Sequence, residues 1–271
     1  MDKTSVVVSG LPGQMATLLA KAIEKSPEFD LLPWALTGED VPDNFVGEIT
    51  LFHPGEREES VKTIHEMCGP FVVVDFTHPS AVNGNVEFYC RHDLPFVMGT
   101  TGGDRLALAR TVEGSKIPAV IAPNMATQVV ALQAAIGYMA ETFPSAFSGF
   151  ELKVTESHQQ GKADTSGTAK ALIDYFRQLG VPYDVGDVEM IRDPAQQLAM
   201  GIKEEHLSGH GYHTYRLNLP GGTMQFEFVH NIGGRLPYVM GTMKALSFLV
   251  KQVEAGVQGK VFSMIDVLKA G

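Results

Sequence analysis

Only two of the 271 residues are cysteines, Cys68 and Cys90, and only one is tryptophan. With no C-x-x-C pair and no framework of spaced cysteines, a disulfide-built scaffold is excluded, and two reduced core thiols are expected. No apolar run approaches the roughly 20 residues needed to span a bilayer. The N-terminal apolar stretch breaks at Gly10-Leu11-Pro12-Gly13 and has no small-residue cleavage site after it, which argues against a secretory signal. Basic residues are the minority, 21 Lys and Arg against 31 Asp and Glu, for a net charge of −10. Such a field repels polyanions, so nonspecific nucleic-acid binding is excluded, and an anionic ligand must meet local positive groups. These absences leave a cytoplasmic protein with no nucleic-acid or membrane partner.

What remains is a chain with 44% hydrophobic residues and 28 glycines, long enough for two domains. Thr4–Ser9 is a β-branched run without alternation, the pattern of a central strand in a parallel sheet. Met15, Leu18, Leu19, Ala22 and Ile23 then place an apolar stripe on a helix. Further strands are expected at Phe29–Leu36, Phe71–Phe76, Pro95–Met98 and Ala119–Ile121, with amphipathic segments between them. The fold class is therefore α/β, a Rossmann-like doubly wound parallel sheet. Near residue 150 the period changes to two. Phe150, Leu152 and Val154 alternate with polar residues, as do Tyr215, Leu217 and Leu219, and then Phe226 and Phe228 after a Pro-Gly-Gly turn. This predicts a second, α+β domain with a mainly antiparallel sheet. The expected division is a first domain over 1–128 and a second over 129–235, whose sheet has one face packed and the other wet or meeting a partner.

Gly10-Leu11-Pro12-Gly13-Gln14-Met15 sits at the first strand–helix junction. Glycines there let backbone N–H groups approach a diphosphate at the helix start. The turn is G-x-x-G, short of the full dinucleotide fingerprint, and the same turn also serves as an ordinary strand–helix connection. Three more strand ends carry small or polar residues: Asp75-Phe76-Thr77, Gly99-Thr100-Thr101 and Pro123-Asn124-Met125. In an open α/β sheet these loops face one crevice, which favours a bound dinucleotide over mere turn chemistry. The second strand ends at Thr37-Gly38 with Glu39 and Asp40 only afterwards, and no basic residue stands there to grip a 2′-phosphate. NADPH is the expected cofactor, with NADH as the alternative.

The chemistry concentrates in residues 155–170. Ser166-Gly167-Thr168 opens a helix, where free N–H groups, hydroxyls and the positive dipole end suit a carboxylate. Lys162 adds a full charge, and His158 can exchange a proton near neutral pH. The bland alternative is a capped helix beside a surface histidine. His206, His210 and His213 are spaced like metal ligands, but Glu204 and Glu205 beside them fit a solvated loop, so no metal is expected.

The run Glu156-Ser157-His158, then Lys162, then Asp164-Thr165-Ser166-Gly167-Thr168-Ala169 resembles the signature of the dihydrodipicolinate (4-hydroxy-tetrahydrodipicolinate) reductase family, and is most similar to its plant-type branch. Asp75-Phe76-Thr77, Gly99-Thr100-Thr101-Gly102 and His230-Asn231 with Gly233-Gly234-Arg235 match family blocks in order. Gln159 stands where many members have a second histidine. The resemblance implies NAD(P)H-dependent reduction of a small cyclic dicarboxylate in lysine biosynthesis by a homotetramer. It implies Gly10, Gly13, Gln14 and Met15 at the cofactor diphosphate. Asp75, Phe76, Thr77, Gly99, Thr100, Thr101, Pro123, Asn124 and Met125 would lie along its remainder. Gln159, Lys162, Ser166, Gly167 and Thr168 would bind substrate, with His158 and Lys162 catalytic. The last segment, 236–271, would return to the nucleotide domain. Two rival readings are an amino-acid dehydrogenase of the same layout and a silent NADPH-binding protein.

Overall fold

The computed structural model describes residues 3–271. They divide into two compact units, one running to Met125 and resuming at Tyr238–Gly271, the other spanning Ala126–Pro237. No helix among the described residues is long and apolar enough to cross a membrane.

The first unit is built on a six-stranded parallel sheet. Its order across the sheet is Lys260–Phe262, Pro118–Ile121, Phe96–Met98, Val72–Asp75, Thr4–Ser9 and Phe29–Leu31. Val6, Val7, Val8, Val73 and Val74 are buried on both faces, which is why these strands carry unbroken apolar runs. The helix Gln14–Glu24 turns Ala16, Leu19, Ala20 and Ile23 inward, while Leu18, expected on that stripe, is exposed. The register aligns Ser9 with Asp75, Asp75 with Met98 and Met98 with Ile121. The carboxyl ends of four adjacent strands therefore form one row, and the loops they feed share one edge.

The strand expected over Phe29–Leu36 is two strands, Phe29–Leu31 and Trp34–Leu36. Pro33 separates them, having no N–H to give a ladder. The second pairs instead with Ile49–Phe52, which also pairs with Phe45–Val46, in a separate three-stranded sheet. Leu36 still accepts from the N–H of Gly10 at 2.8 Å, so its end stays beside the glycine turn. Both cysteines are free thiols, but Cys68 is exposed at a helix end and is no core residue, against expectation.

The second unit carries a four-stranded sheet in the order Glu189–Ile191, Glu151–His158, His210–Asn218, Gln225–Gly233. The first pair is parallel and the other two are antiparallel. Helices Thr127–Thr142 and Gly167–Gln178 supply the other half of its core. Leu172, Ile173 and Phe176 meet Val154, Tyr215 and Leu217, all fully buried. Each such large side chain contributes about 1.5–3 kcal/mol of apolar burial, enough to fix which face of each strand points inward. On the Glu151–His158 and His210–Asn218 pair, the alternation that buries Val154 and Tyr215 also buries Glu156 and His213. The packed face of the sheet thus ends in a polar cluster.

Candidate active site

In the first unit, glycine is required where loops crowd together. Gly10 has φ +106°, and a Cβ there would sit 2.3 Å from the carbonyl oxygen of Phe76. A Cβ at Gly99 would strike the Phe76 ring at 2.2 Å. The loop after Val72–Asp75 therefore lies against both neighbouring strand ends only because they lack side chains. Asp75, fully buried, fastens this loop. Its carboxylate accepts from Thr77 N and Oγ1, Asn85 Nδ2, Tyr89 Oη and Thr100 Oγ1, at 2.7–3.0 Å. With five donors turned inward, the Asp75 carboxylate shapes the crevice rather than facing it. Burial, with Asp75 next in effect, pushes the Tyr89 phenol well above its usual range, so that phenol stays a donor. Gln14, Pro123 and Thr101 are exposed, Met15, Phe76, Thr77, Gly99 and Asn124 are half-buried, and Met125 is inside.

Beyond the end of Trp34–Leu36 lies a cavity of about 730 Å³, with Gly38, Arg57 and His78 in its wall. Sequence order hid the basic group here. Arg57 starts the next helix and donates to Thr37 O at 2.7 Å and to Asn85 Oδ1 at 2.9 Å. A guanidinium thus stands at the strand end where none was expected. Glycine turn, strand-end row and cavity fit the diphosphate and one nucleoside of a dinucleotide.

In the second unit, Glu156 is fully buried and its carboxylate gathers the site. Oε1 pairs with Arg192 at 2.5 Å, and Oε2 accepts from Ser166 N at 3.1 Å and faces His213 Nε2 at 3.5 Å. Burial alone would raise this carboxyl. The bonds from His213, Arg192 and Ser166 outweigh it and hold the carboxyl well below the usual carboxylate range. Arg192 does more than pair: it donates from Nε to Lys162 O at 2.8 Å and from Nη1 to Glu156 O at 3.3 Å. The guanidinium therefore pins the loop that carries Lys162. The Lys162 ammonium, 22% exposed, is 2.6 Å from the exposed Asp164.

His158 ends its strand with Nδ1 2.9 Å from the carbonyl of His210. A carbonyl can only accept, so the ring proton sits on Nδ1 and Nε2 is left facing His213 Nε2 at 3.4 Å. Burial, then the neighbouring His213, pushes the His158 imidazole down to about 4, with Glu156 opposing. Burial pushes His230, stacked on His213 at 4.5 Å, down to about 3. His210 and His213 are buried strand residues, which corrects their reading as part of a solvated loop; only His206 lies in the turn. Glu156, His158 and His213 bring donor atoms within 4.8 Å of one another. Arg192 and the Ser166 N–H already occupy the carboxylate oxygens.

Family models match the chain nearly end to end. The model described as dihydrodipicolinate reductase, N-terminus, matches residues 4–125, and the one described as its C-terminus matches 128–268. The chain belongs to the dihydrodipicolinate reductase family. It is 48% identical to the chloroplastic 4-hydroxy-tetrahydrodipicolinate reductase 1 of Arabidopsis thaliana, over 98% of this chain and 78% of that one. It is 27% identical to the Burkholderia pseudomallei 4-hydroxy-tetrahydrodipicolinate reductase, over 99% of both chains. The fold matches a dipicolinate-bound dihydrodipicolinate reductase from Paenisporosarcina with a TM-score of 0.66 at 18% identity, covering 97% of this chain and 98% of that one.

The family motif splits in this structure. His158 and Ser166 join the buried cluster, with Ser166 Oγ 2.9 Å from His213 Nε2 and 3.1 Å from Ala169 N as helix cap. Gln159 and Gly167 are exposed and Thr168 is half-buried at the helix start. Glu156 was visible only as a motif letter, His213 only as one of three spaced histidines and His230 only within a family block, while Arg192 carried no local signal of chemistry.

Imidazoles held neutral by burial, His158 and His230 most strongly and His210 as well, make stability depend on pH. A histidine whose folded pKa is depressed leaves the unfolded chain binding more protons, so stability falls as pH drops from about 6.5 toward 4. Each imidazole contributes a slope of at most about 1.4 kcal/mol per pH unit in that window. Glu156 acts in the same direction, but below the usual carboxylate range. Urea titrations at several pH values should show unfolding free energy declining between pH about 6.5 and 5, with a shallower decline in a His158→Gln/His230→Gln double variant. A flat wild-type profile there contradicts the buried neutral imidazoles.

Proposed function

We propose that this chain reduces 4-hydroxy-tetrahydrodipicolinate to tetrahydrodipicolinate with NADPH, in the diaminopimelate route to lysine. The observation that carries the reading is the convergence, on one sheet end, of His158, the Lys162 loop pinned by Arg192, and the start of helix Gly167–Gln178. Family membership supplies the substrate class. The glycine turn of Gly10 and Gly13 and the loops at Phe76–Thr77, Gly99–Thr101 and Pro123–Met125 hold the cofactor. When bound, it supplies the hydride. Arg57 at the end of Trp34–Leu36 supports NADPH over NADH, being the cation placed to meet a 2′-phosphate.

Lys162 leaves Asp164 for one substrate carboxylate, which the helix start, Gly167 and Thr168, also receives. This local positive site overcomes the net charge of −10. The dianion in turn raises the His158 imidazole, so a proton enters with the substrate and is present when negative charge develops. Lys162 stabilises that charge, and Gln159, exposed at the turn, offers a neutral hydrogen bond.

We read the assembly as a homotetramer and its compartment as the cytoplasm, although the plant relatives are named chloroplastic. Support for the tetramer comes from Gln225–Gly233, an edge strand with Phe226, Val229 and nearby Met224 exposed. Sedimentation equilibrium at micromolar concentration should give four times 29.3 kDa; a single monomer species excludes it.

The mechanism predicts a split between binding and turnover. Lys162→Ala should lower kcat/KM by about a thousandfold, with one charge-assisted contact worth about 1.5–3 kcal/mol and transition-state stabilisation beyond it. His158→Ala should lower kcat by about a hundredfold. NADPH affinity by isothermal titration should be unchanged in both. Near wild-type rates in both variants would remove the assignment.

A further inference from the structure

Resting on the reading of His158 as proton donor, we propose that His158 shares its proton with His213, and that the buried Glu156 is the positioning residue of this pair. The two Nε2 atoms face each other at 3.4 Å, and no other ring nitrogen is bonded to His158 Nε2 among the described residues. His158 cannot turn away, because Nδ1–H is spent on His210 O and its own carbonyl accepts from Gln197 Nε2 at 2.7 Å. His213 is equally fixed. Its Nε2 meets Ser166 Oγ at 2.9 Å and Glu156 Oε2 at 3.5 Å, while its Nδ1 is buried without a hydrogen-bond partner among the described residues.

These contacts dictate where protons go. In the neutral pair His158 carries its proton on Nδ1, and His213 carries its proton on Nε2, toward Glu156 and the lone pair of His158. Adding one proton at His213 Nδ1 makes that ring an imidazolium whose Nε2–H lies between the two Nε2 atoms. Glu156 balances that charge from 3.5 and 3.9 Å. That proton crosses to His158 Nε2 and on to the anion that reduction creates: the N–H bond breaks, a bond to substrate forms, and both rings are neutral again, each with Nδ1–H. Solvent reloads the pair. Without Glu156 the added charge would face only Arg192 and two further imidazoles, His210 and His230, with the phenol of Tyr215 beside them. A lone buried imidazole would have to hold the whole charge, which burial opposes. Two coupled rings titrate as a unit.

The test is the pH dependence of kcat/KM in Glu156→Gln and His213→Gln, beside a wild-type histidine ¹⁵N NMR titration. The donor must hold its proton, so activity is lost as pH rises through the apparent pKa of the pair. Glu156→Gln removes the attraction and should move this limb to lower pH. His213→Gln leaves one buried ring to hold the charge alone and should also move it to lower pH. Shifts of about one unit are expected, the size at which sites titrate jointly. KM should change less than kcat, which should fall by about tenfold or more. A neighbour that only repels charge predicts a move to higher pH in His213→Gln, and a merely structural role predicts none. Unmoved limbs, or a move to higher pH in His213→Gln, overturn the proposal. Should Glu156→Gln not fold, the NMR titration decides: coupled two-step curves for His158 and His213 in the wild type support sharing, and independent one-step curves end it. A fully active His158→Ala instead removes the donor reading itself; an inactive His158→Ala with a wild-type profile in His213→Gln removes only the sharing.

Discussion

One buried carboxylate organises the chemical half of this protein. Glu156 lies on a strand face that hydrophobic packing has already chosen, and its charge is kept by Arg192, the Ser166 N–H and His213. An isolated ion there would cost several kcal/mol, so each partner is obligatory once the carboxylate is inside. Those partners come from three segments, the adjacent strand, the segment after Glu189–Ile191 and the helix start, and Arg192 in turn holds the Lys162 loop. The requirement to satisfy one charge therefore fixes the relative placement of His158, the Lys162 loop and the start of helix Gly167–Gln178. Electrostatics here does little for net stability and much for geometry.

The cofactor side follows the same logic with a different residue. Asp75 is buried at a strand end and collects donors from its own loop, from the helix Val82–Arg91 and from Thr100. Its five hydrogen bonds hold the Phe76–Thr77 loop against the neighbouring glycines. Each unit thus uses an inward carboxylate to preorganise outward groups, which limits what a ligand must spend on ordering the site. The catalytic groups can be few because their supports are many.

Much of this was legible along the chain, and the failures have physical causes. Continuous apolarity around Val6–Val8 and Val72–Val74 gave the parallel sheet, because both faces are covered. Period two at Tyr215 and Leu217 gave the antiparallel sheet. Continued backwards, the same alternation reaches His213, a signal of inward placement that the polar residues around it obscured. Pro33 was a strand breaker in plain view. Arg57 and Arg192 could not be found locally. Arg57 reaches Thr37 across an intervening sheet, and Arg192 reaches Glu156 across strand pairing separated by 36 positions. Local motif reading finds groups that act together within one loop; partners brought by register need the fold.

The central claim is that the carboxylate-held cluster serves reduction of a cyclic dicarboxylate. Its most direct test is NADPH oxidation followed at neutral pH with freshly made 4-hydroxy-tetrahydrodipicolinate, beside NADH and amino-acid substrates as controls. One NADPH consumed per substrate reduced, a higher kcat/KM with NADPH than with NADH, and no turnover of amino acids are the predicted results. A folded protein that binds NADPH yet leaves it unoxidised in the presence of this substrate would contradict the account.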